Sequence, residues 1–274
     1  MKKIYFFNVI VLLSTLLPIS FGCTGDTRDD SVQTRIVVFA AASLTEAMDE
    51  LISNFESDHP GVHIVLNLAS SHQLAQQLVH GAPADVFASA NQQQMDVVQN
   101  DGRINFEDQI IFAQNRLAVI YSRDSKLSIT ELDDLAKPDL KIIIAAPDVP
   151  VGRYSLEFLD RATRDATLGP SYRDAVLQNI VSFEVNVKFV LTKVALGEAD
   201  AGIVYVTDVY GERGTNVGVI DIPDHLNPIA EYPIAILNDS TQNQLAQSFI
   251  KFVTSQEGRD ILSADGFTFQ NNAE

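Results

Sequence analysis

Between Arg35 and Phe55 the apolar residues change period, and few folds accommodate that change. Ile36 to Phe39 is a continuous β-branched and aromatic run, the pattern of a strand buried on both faces. From Leu44 the apolar positions are Leu44, Ala47, Met48, Leu51, Ile52 and Phe55, the spacing of one helix face. Ser43 stands at the joint with Glu46 three residues later, which predicts a capping box. A strand that enters a helix through small residues leaves N–H groups at the carboxyl edge of a sheet, where anions collect. The plainer alternative is that Ser43 only caps its helix; this stretch alone leaves both readings open.

The event recurs. His59-Pro-Gly61 predicts a turn and Val62 to Leu68 a second strand, after which Ala69-Ser-Ser71 leads into a helix from Gln73 to His80 that stops at Gly81. Asp85 to Ala88 reads as a short strand and Gln92 to Asn100 as a helix. This βαβαβα order implies a parallel sheet with helices on its faces, whose ligands lie at the carboxyl ends of the strands. Arg116 to Tyr121 is another strand, Ile129 to Leu135 a small helical segment, and Lys141 to Ala146 opens a second series. That series passes through Pro147 to Tyr154 into a helix running to about Thr167, followed by helices near Tyr172 to Asn179 and at Val187 to Leu196, with strands at Ile180 to Phe183 and Ala201 to Tyr205. The last strands are Val217 to Ile222 and Glu231 to Leu237, and the last helices Thr241 to Ser255 and Gln256 to Ala264. The expected organisation is two lobes, residues 35–114 with 231–274 and residues 115–230.

The first 23 residues carry two lysines, an apolar run broken by Asn8 and Pro18, and small residues before Cys23, the build of an export signal rather than a membrane span. Residues 1–22 are read as that signal and 23–34, polar and charged, as a tether. Cys23 directly follows Gly22, as at a bacterial lipoprotein processing site, but Ser20 stands where such sites carry an aliphatic residue. Lipidation of Cys23 and ordinary cleavage after Gly22 both stay open, and either places the protein in the periplasm or on the outer face of the cytoplasmic membrane. Without Lys2 and Lys3 the chain keeps 17 basic and 36 acidic residues, a formal charge of −19. Such a surface repels nucleic acid and anionic headgroups. A single cysteine excludes an internal disulfide.

Five motifs in order, Val38-Phe-Ala-Ala-Ala-Ser-Leu-Thr45, Gly81-Ala-Pro-Ala-Asp-Val-Phe87, Val149-Pro-Val-Gly-Arg-Tyr154, Leu196-Gly-Glu-Ala-Asp-Ala-Gly-Ile-Val-Tyr205 and Glu231-Tyr-Pro233, give the chain its resemblance. It resembles the molybdate-binding proteins of bacterial molybdate uptake transporters. The resemblance implies an α/β, two-lobed type II periplasmic-binding-protein fold, each lobe a mostly parallel sheet flanked by helices, closing over a ligand in the interlobe cleft. It implies a monomeric binding protein, not an enzyme, with no cofactor. The implied ligand is molybdate or tungstate, passed to a membrane permease with a cytoplasmic ATPase. Carried over residue by residue, the oxyanion is held by the hydroxyls and backbone N–H groups of Ser43 and Ser71, the backbone N–H groups of Val151 and Val187, and the hydroxyl of Tyr205. Ser43, Ser71, Val151 and Val187 each lie at or before a predicted helix start, where free N–H groups collect. Hydrogen bonds to a charged acceptor contribute roughly 1.5–3 kcal/mol each, enough to replace hydration without a counter-ion.

Rival readings are weaker. His72-Gln73 departs from the family's pattern of Gly or Ser followed by Thr; His72 either lines the cleft and tunes affinity with pH or is a partly exposed helix-start residue. A serine hydrolase lacks both a G-x-S-x-G elbow and a histidine placed as base. For a cation site, Pro60 and Gly61 keep His59 and His63 off one helical face. Asp148, Glu184 and Asp208 would repel an oxyanion and read as caps or lobe–lobe contacts. Tyr205 has a plainer reading as a core tyrosine at a strand end, but the carboxyl end of a strand is where the ligand of such a sheet lies, which favours a ligand role. Sulfate, or another tetrahedral oxyanion on the same fold, is the nearest competitor. Phosphate needs an acceptor for its proton that the matched positions do not offer.

Overall fold

A computed structural model of the protein describes residues 34–270. Cys23, the export signal and most of the tether lie outside the described residues. Thr34, read with the tether, is the first residue of β1 (Thr34–Ala41) and donates its N–H to the Gly61 carbonyl at 2.9 Å. A 3-10 turn (Ala42–Leu44) joins β1 to α1 (Thr45–Asp58). Then come β2 (Val62–Ala69), α2 (Ser71–Val79), β3 (Val86–Ala88), α3 (Gln92–Asn100) and β4 (Ile110–Asn115). Only Arg116 separates β4 from β5 (Leu117–Ser122), which belongs to a second sheet. That sheet continues with β6 (Ile142–Ala145), α4 (Pro150–Ala162), α5 (Tyr172–Gln178), β7 (Ile180–Glu184), α6 (Val187–Ala195), β8 (Ala201–Tyr205) and β9 (Val217–Asp221). The chain then returns to the first sheet as β10 (Ala230–Ile236) and ends in α7 (Asn243–Val253) and α8 (Gln256–Ala264).

The two five-stranded sheets have the orders β2-β1-β3-β10-β4 and β7-β6-β8-β5-β9. Each is parallel apart from one strand. β10 runs antiparallel to β3 and β4, and β5 runs antiparallel to β8 and β9. In both cases the opposed strand is the one that has just crossed from the other sheet. The βαβ pattern predicted the parallel strands, but local periodicity carries no information about a strand that arrives from elsewhere. β4 is a strand that the sequence reading does not include: its partner, β10, lies more than a hundred residues further on.

The helices follow their apolar spacing. α1 turns Ala47, Met48, Leu51 and Phe55 inward, the last three at 0% exposure. Phe55 stacks on His59 with ring centroids 4.0 Å apart and meets Phe249 edge-on at 5.3 Å, so α1 is held to α7 by an aromatic contact. α4 ends at Ala162, short of the expected Thr167. The Asp165 carboxylate accepts the N–H groups of Thr167 and Leu168, which gives the backbone there an alternative to another helical turn. Among the described residues no helix is long and apolar enough to cross a membrane. Phe55→Ala is expected to cost about 3–5 kcal/mol, measured by urea denaturation of the two proteins.

Candidate functional site

Strands β1, β2, β6 and β7 each run into a helical turn, at Ala42, Ser71, Pro150 and Val187, and β8 ends at Tyr205. These five carboxyl ends meet around one cavity lined by residues that include Ser43, Ser71, Val151, Val187 and Tyr205. The five positions marked in the sequence are therefore brought together, joined by Ala41, Ala42, Ser70, Ala90, Val149, Pro150 and Asn186. No side chain in that lining is charged. The centre of a water-sized sphere can move through about 20 Å³ inside, so the space suits a body roughly 3 Å in radius, larger than a single water.

Each lining donor has a local cause. α2 is capped by Ser70, whose hydroxyl oxygen accepts the Gln73 N–H at 3.3 Å while the Gln73 side chain accepts the Ser70 N–H. This leaves the N–H groups of Ser71 and His72, in the helix's first turn, without carbonyls behind them. Ser71 Oγ accepts the Ala90 N–H at 2.9 Å, which frees its hydroxyl hydrogen to donate elsewhere. α4 starts with Pro150, which has no N–H, so Val151 presents the first. α6 is capped by Asn186, which accepts the Phe189 N–H at 3.1 Å, leaving Val187 at the helix start. Gly152 brings α4 against β6: a Cβ there would lie 2.1 Å from the Ala146 carbonyl oxygen and 2.3 Å from that of Ala145. Tyr205 is 1% exposed, and its hydroxyl has no hydrogen-bond partner among the described residues. Burial, with Tyr232, Tyr154 and Asp208 nearby, pushes its ionisation well above the usual tyrosine range, so it remains a neutral donor.

The predicted capping box at Ser43 does not form. The turn after β1 tightens into a 3-10 helix, and α1 begins without a side-chain cap. Ser43 Oγ instead pairs with the hydroxyl of Tyr232 at 2.8 Å, and Glu46 turns to Lys188. His72 is half-buried in the first turn of α2 and does not line the cavity. Among the described residues no His, Cys, Asp or Glu cluster is suited to a metal ion. Tyr232 and Asn115, which support Ser43, were missed; Glu231-Tyr-Pro233 was quoted as a motif, but nothing local says where a tyrosine hydroxyl points.

The bacterial extracellular solute-binding protein family matches residues 36–268. The chain belongs to this family. It is 38% identical to the molybdate-binding protein ModA of Mycobacterium tuberculosis, over 85% of this chain and 84% of that protein. To ModA of Escherichia coli it is 30% identical over 92% and 95%. It also superposes, with a TM-score of 0.64 and 28% identity, on a substrate-binding domain assigned to a molybdenum ABC transporter of Clostridium difficile, covering 86% of this chain and 98% of that one. The family and these relatives are solute-binding transport proteins, not enzymes, and the two-sheet α/β architecture is theirs.

In this solute-binding protein, ion pairs fasten the two halves beside the cavity. Lys188 of α6 donates to both carboxylate oxygens of Glu46 on α1 at 2.9 Å and lies 3.1 Å from Asp208. Arg213 reaches Asp265 at 2.9 Å and lies 3.8 Å from Glu46. Asp208, fully buried, accepts the Tyr205 N–H with its other oxygen at 3.1 Å. Asp208 thus caps the 3-10 turn that follows β8 and pairs with Lys188 of the same half, while Glu46 makes the contact across the halves. Glu184 holds Lys193 at 2.7 Å, and the carbonyl of Asp148 accepts from Gln94 of α3 at 3.3 Å. Burial raises the Asp208 carboxyl above the usual range despite Lys188. Burial also opposes ionisation of Glu46, but the Lys188 hydrogen bond and charge outweigh it and lower its pKa.

Gly152→Ala is expected to force α4 off β6 and to cost about 1–3 kcal/mol, read as a lower midpoint in thermal melts. Lys188→Met leaves Asp208 buried and unpaired, and is expected to cost about 3–5 kcal/mol at pH 8. A buried carboxyl with a raised pKa destabilises only while ionised, so the deficit should shrink as the pH is lowered and Asp208 takes up a proton. Urea melts of both proteins across that pH range measure it.

Proposed function

We propose that this protein captures molybdate, or its near twin tungstate, in the cavity at the five strand ends. The hydroxyls of Ser43, Ser71 and Tyr205 and the backbone N–H groups of Ser43, Ser71, Val151 and Val187 hold the anion. The observation that carries this reading is a small cavity whose lining offers donors and no charged side chain, with the Tyr205 hydroxyl buried and unpartnered inside the protein. A fully ionised four-oxygen anion offers only acceptors, so a wall of neutral donors satisfies it, and helix starts add favourable partial charge. The relatives named for molybdate support the choice among oxyanions.

In this reading residues 35–114 with 231–274 form one lobe and residues 115–230 the other, and they close on the anion. The loaded protein docks on a membrane permease driven by a cytoplasmic ATPase, as the relative from a molybdenum ABC transporter suggests. Hydrogen phosphate is disfavoured because its proton finds no carboxylate in the lining.

Thermal melts with molybdate, tungstate, sulfate, phosphate and thiosulfate test the reading. Molybdate and tungstate at a hundred times their dissociation constants should stabilise the protein by about 2.7 kcal/mol, with phosphate giving no shift; no shift with molybdate or tungstate would overturn it. Tyr205→Phe should weaken molybdate binding by roughly 1.5–3 kcal/mol in calorimetry, and unchanged affinity would remove Tyr205 from the site.

A further inference from the structure

Ser43 reaches the cavity with its hydroxyl already engaged, and the direction of that engagement decides what it can offer a ligand. Its partner is the hydroxyl of Tyr232 on β10, at 2.8 Å, with both groups buried. Tyr232 also lies 3.3 Å from Asn115 Nδ2, and the same amide nitrogen donates to Thr207 Oγ1 at 2.8 Å. The orientation of the amide is fixed, because Asn115 Oδ1 accepts the Arg116 backbone N–H at 2.9 Å, and a backbone N–H can only donate. The two amide hydrogens therefore point at Thr207 and Tyr232. Asn115 Nδ2 can only donate, which leaves Ser43 Oγ as the one acceptor paired with the Tyr232 hydroxyl among the described residues; a buried hydroxyl hydrogen needs an acceptor, so Tyr232 sends its hydrogen to Ser43 Oγ and the Ser43 hydrogen is left to face the cavity. Ser43 is 5% exposed and Asn115 1% exposed, so water does not readily scramble this order.

We infer that Asn115 and Tyr232, neither of which lines the cavity, are positioning residues that fix the polarity of Ser43. They make it a donor, and so make the site select oxyanions without a proton over those that carry one. This rests on the oxyanion reading and deepens it. Asn115 ends β4, next to the crossing between sheets, and Thr207 follows β8 of the second sheet. One amide thus takes its orientation from the crossing and passes it to the first sheet's contribution to the site.

Asn115→Asp tests the relay, because it keeps the oxygen that accepts from Arg116 and exchanges the donor for an acceptor. Tyr232 then donates to Asp, Ser43 donates to Tyr232, and a lone pair turns to the cavity. Calorimetry with molybdate and with inorganic phosphate should show the molybdate-to-phosphate affinity ratio falling by about tenfold or more, the scale of one hydrogen bond to a charged group. Tyr232→Phe cuts the relay while keeping the ring packed between Phe112 and Phe267. In that background Asn115→Asp should no longer change the ratio, although its charge still repels both anions. The inference is overturned if Asn115→Asp weakens both anions by the same factor, or if its effect on the ratio survives in Tyr232→Phe. Should Asn115→Asp not fold, Tyr232→Phe alone decides: Ser43 is then free to turn and the ratio narrows, whereas an unchanged ratio overturns the inference. A wild-type protein that binds neither anion would instead sink the oxyanion reading itself.

Discussion

Backbone N–H groups at the start of a helix have no carbonyl to meet, and in this protein several such starts open into one space. That constraint organises the rest. The open groups need a polar partner, because buried and unpaired they would each cost about 1–3 kcal/mol. The chain meets part of the need itself, through the Ser70 and Asn186 caps and through Pro150, which has no N–H to satisfy. The helix-start residues Ser71, Val151 and Val187 line the cavity. The close approach of α4 to β6, which only a glycine at position 152 permits, sets the distance at which the second sheet presents its share.

Charge is kept out of the lining and concentrated beside it. A chain of formal charge −17 presents an uncharged pocket, while Lys188, Glu46, Asp208, Arg213 and Asp265 form a connected set across the halves. Asp208 links the two regions, with one oxygen facing Lys188 and the other accepting the Tyr205 N–H. Buried ions of this kind add little net stability, but they penalise any arrangement that separates them. They therefore define how the halves meet more than how tightly the chain folds.

Much of this was legible in the residues. Helices α3 and α8 and strand β8 begin and end where their patterns place them, because periodicity and caps are local properties. Ser43, Ser71, Val151, Val187 and Tyr205 could be singled out because strand-to-helix joints and motif order mark them, and the structure gathers all five around one cavity. The Ser43 capping box was a wrong inference from a correct pattern. Serine followed by glutamate three residues on permits the box, but two partners distant in sequence, Tyr232 and Lys188, claimed both side chains.

The sequence by itself determined the βα units, the helix starts that hold open N–H groups, and the neutrality of the residues at those starts, since each depends on neighbours within a few positions. Tertiary structure alone decided the opposed strands β5 and β10, the ion pairs that join the halves, and the hydrogen-bond order running from Asn115 through Tyr232 to Ser43. Those features join residues more than fifty positions apart. Which hydroxyl donates and which accepts is settled only when the groups that compete for each hydrogen are packed side by side.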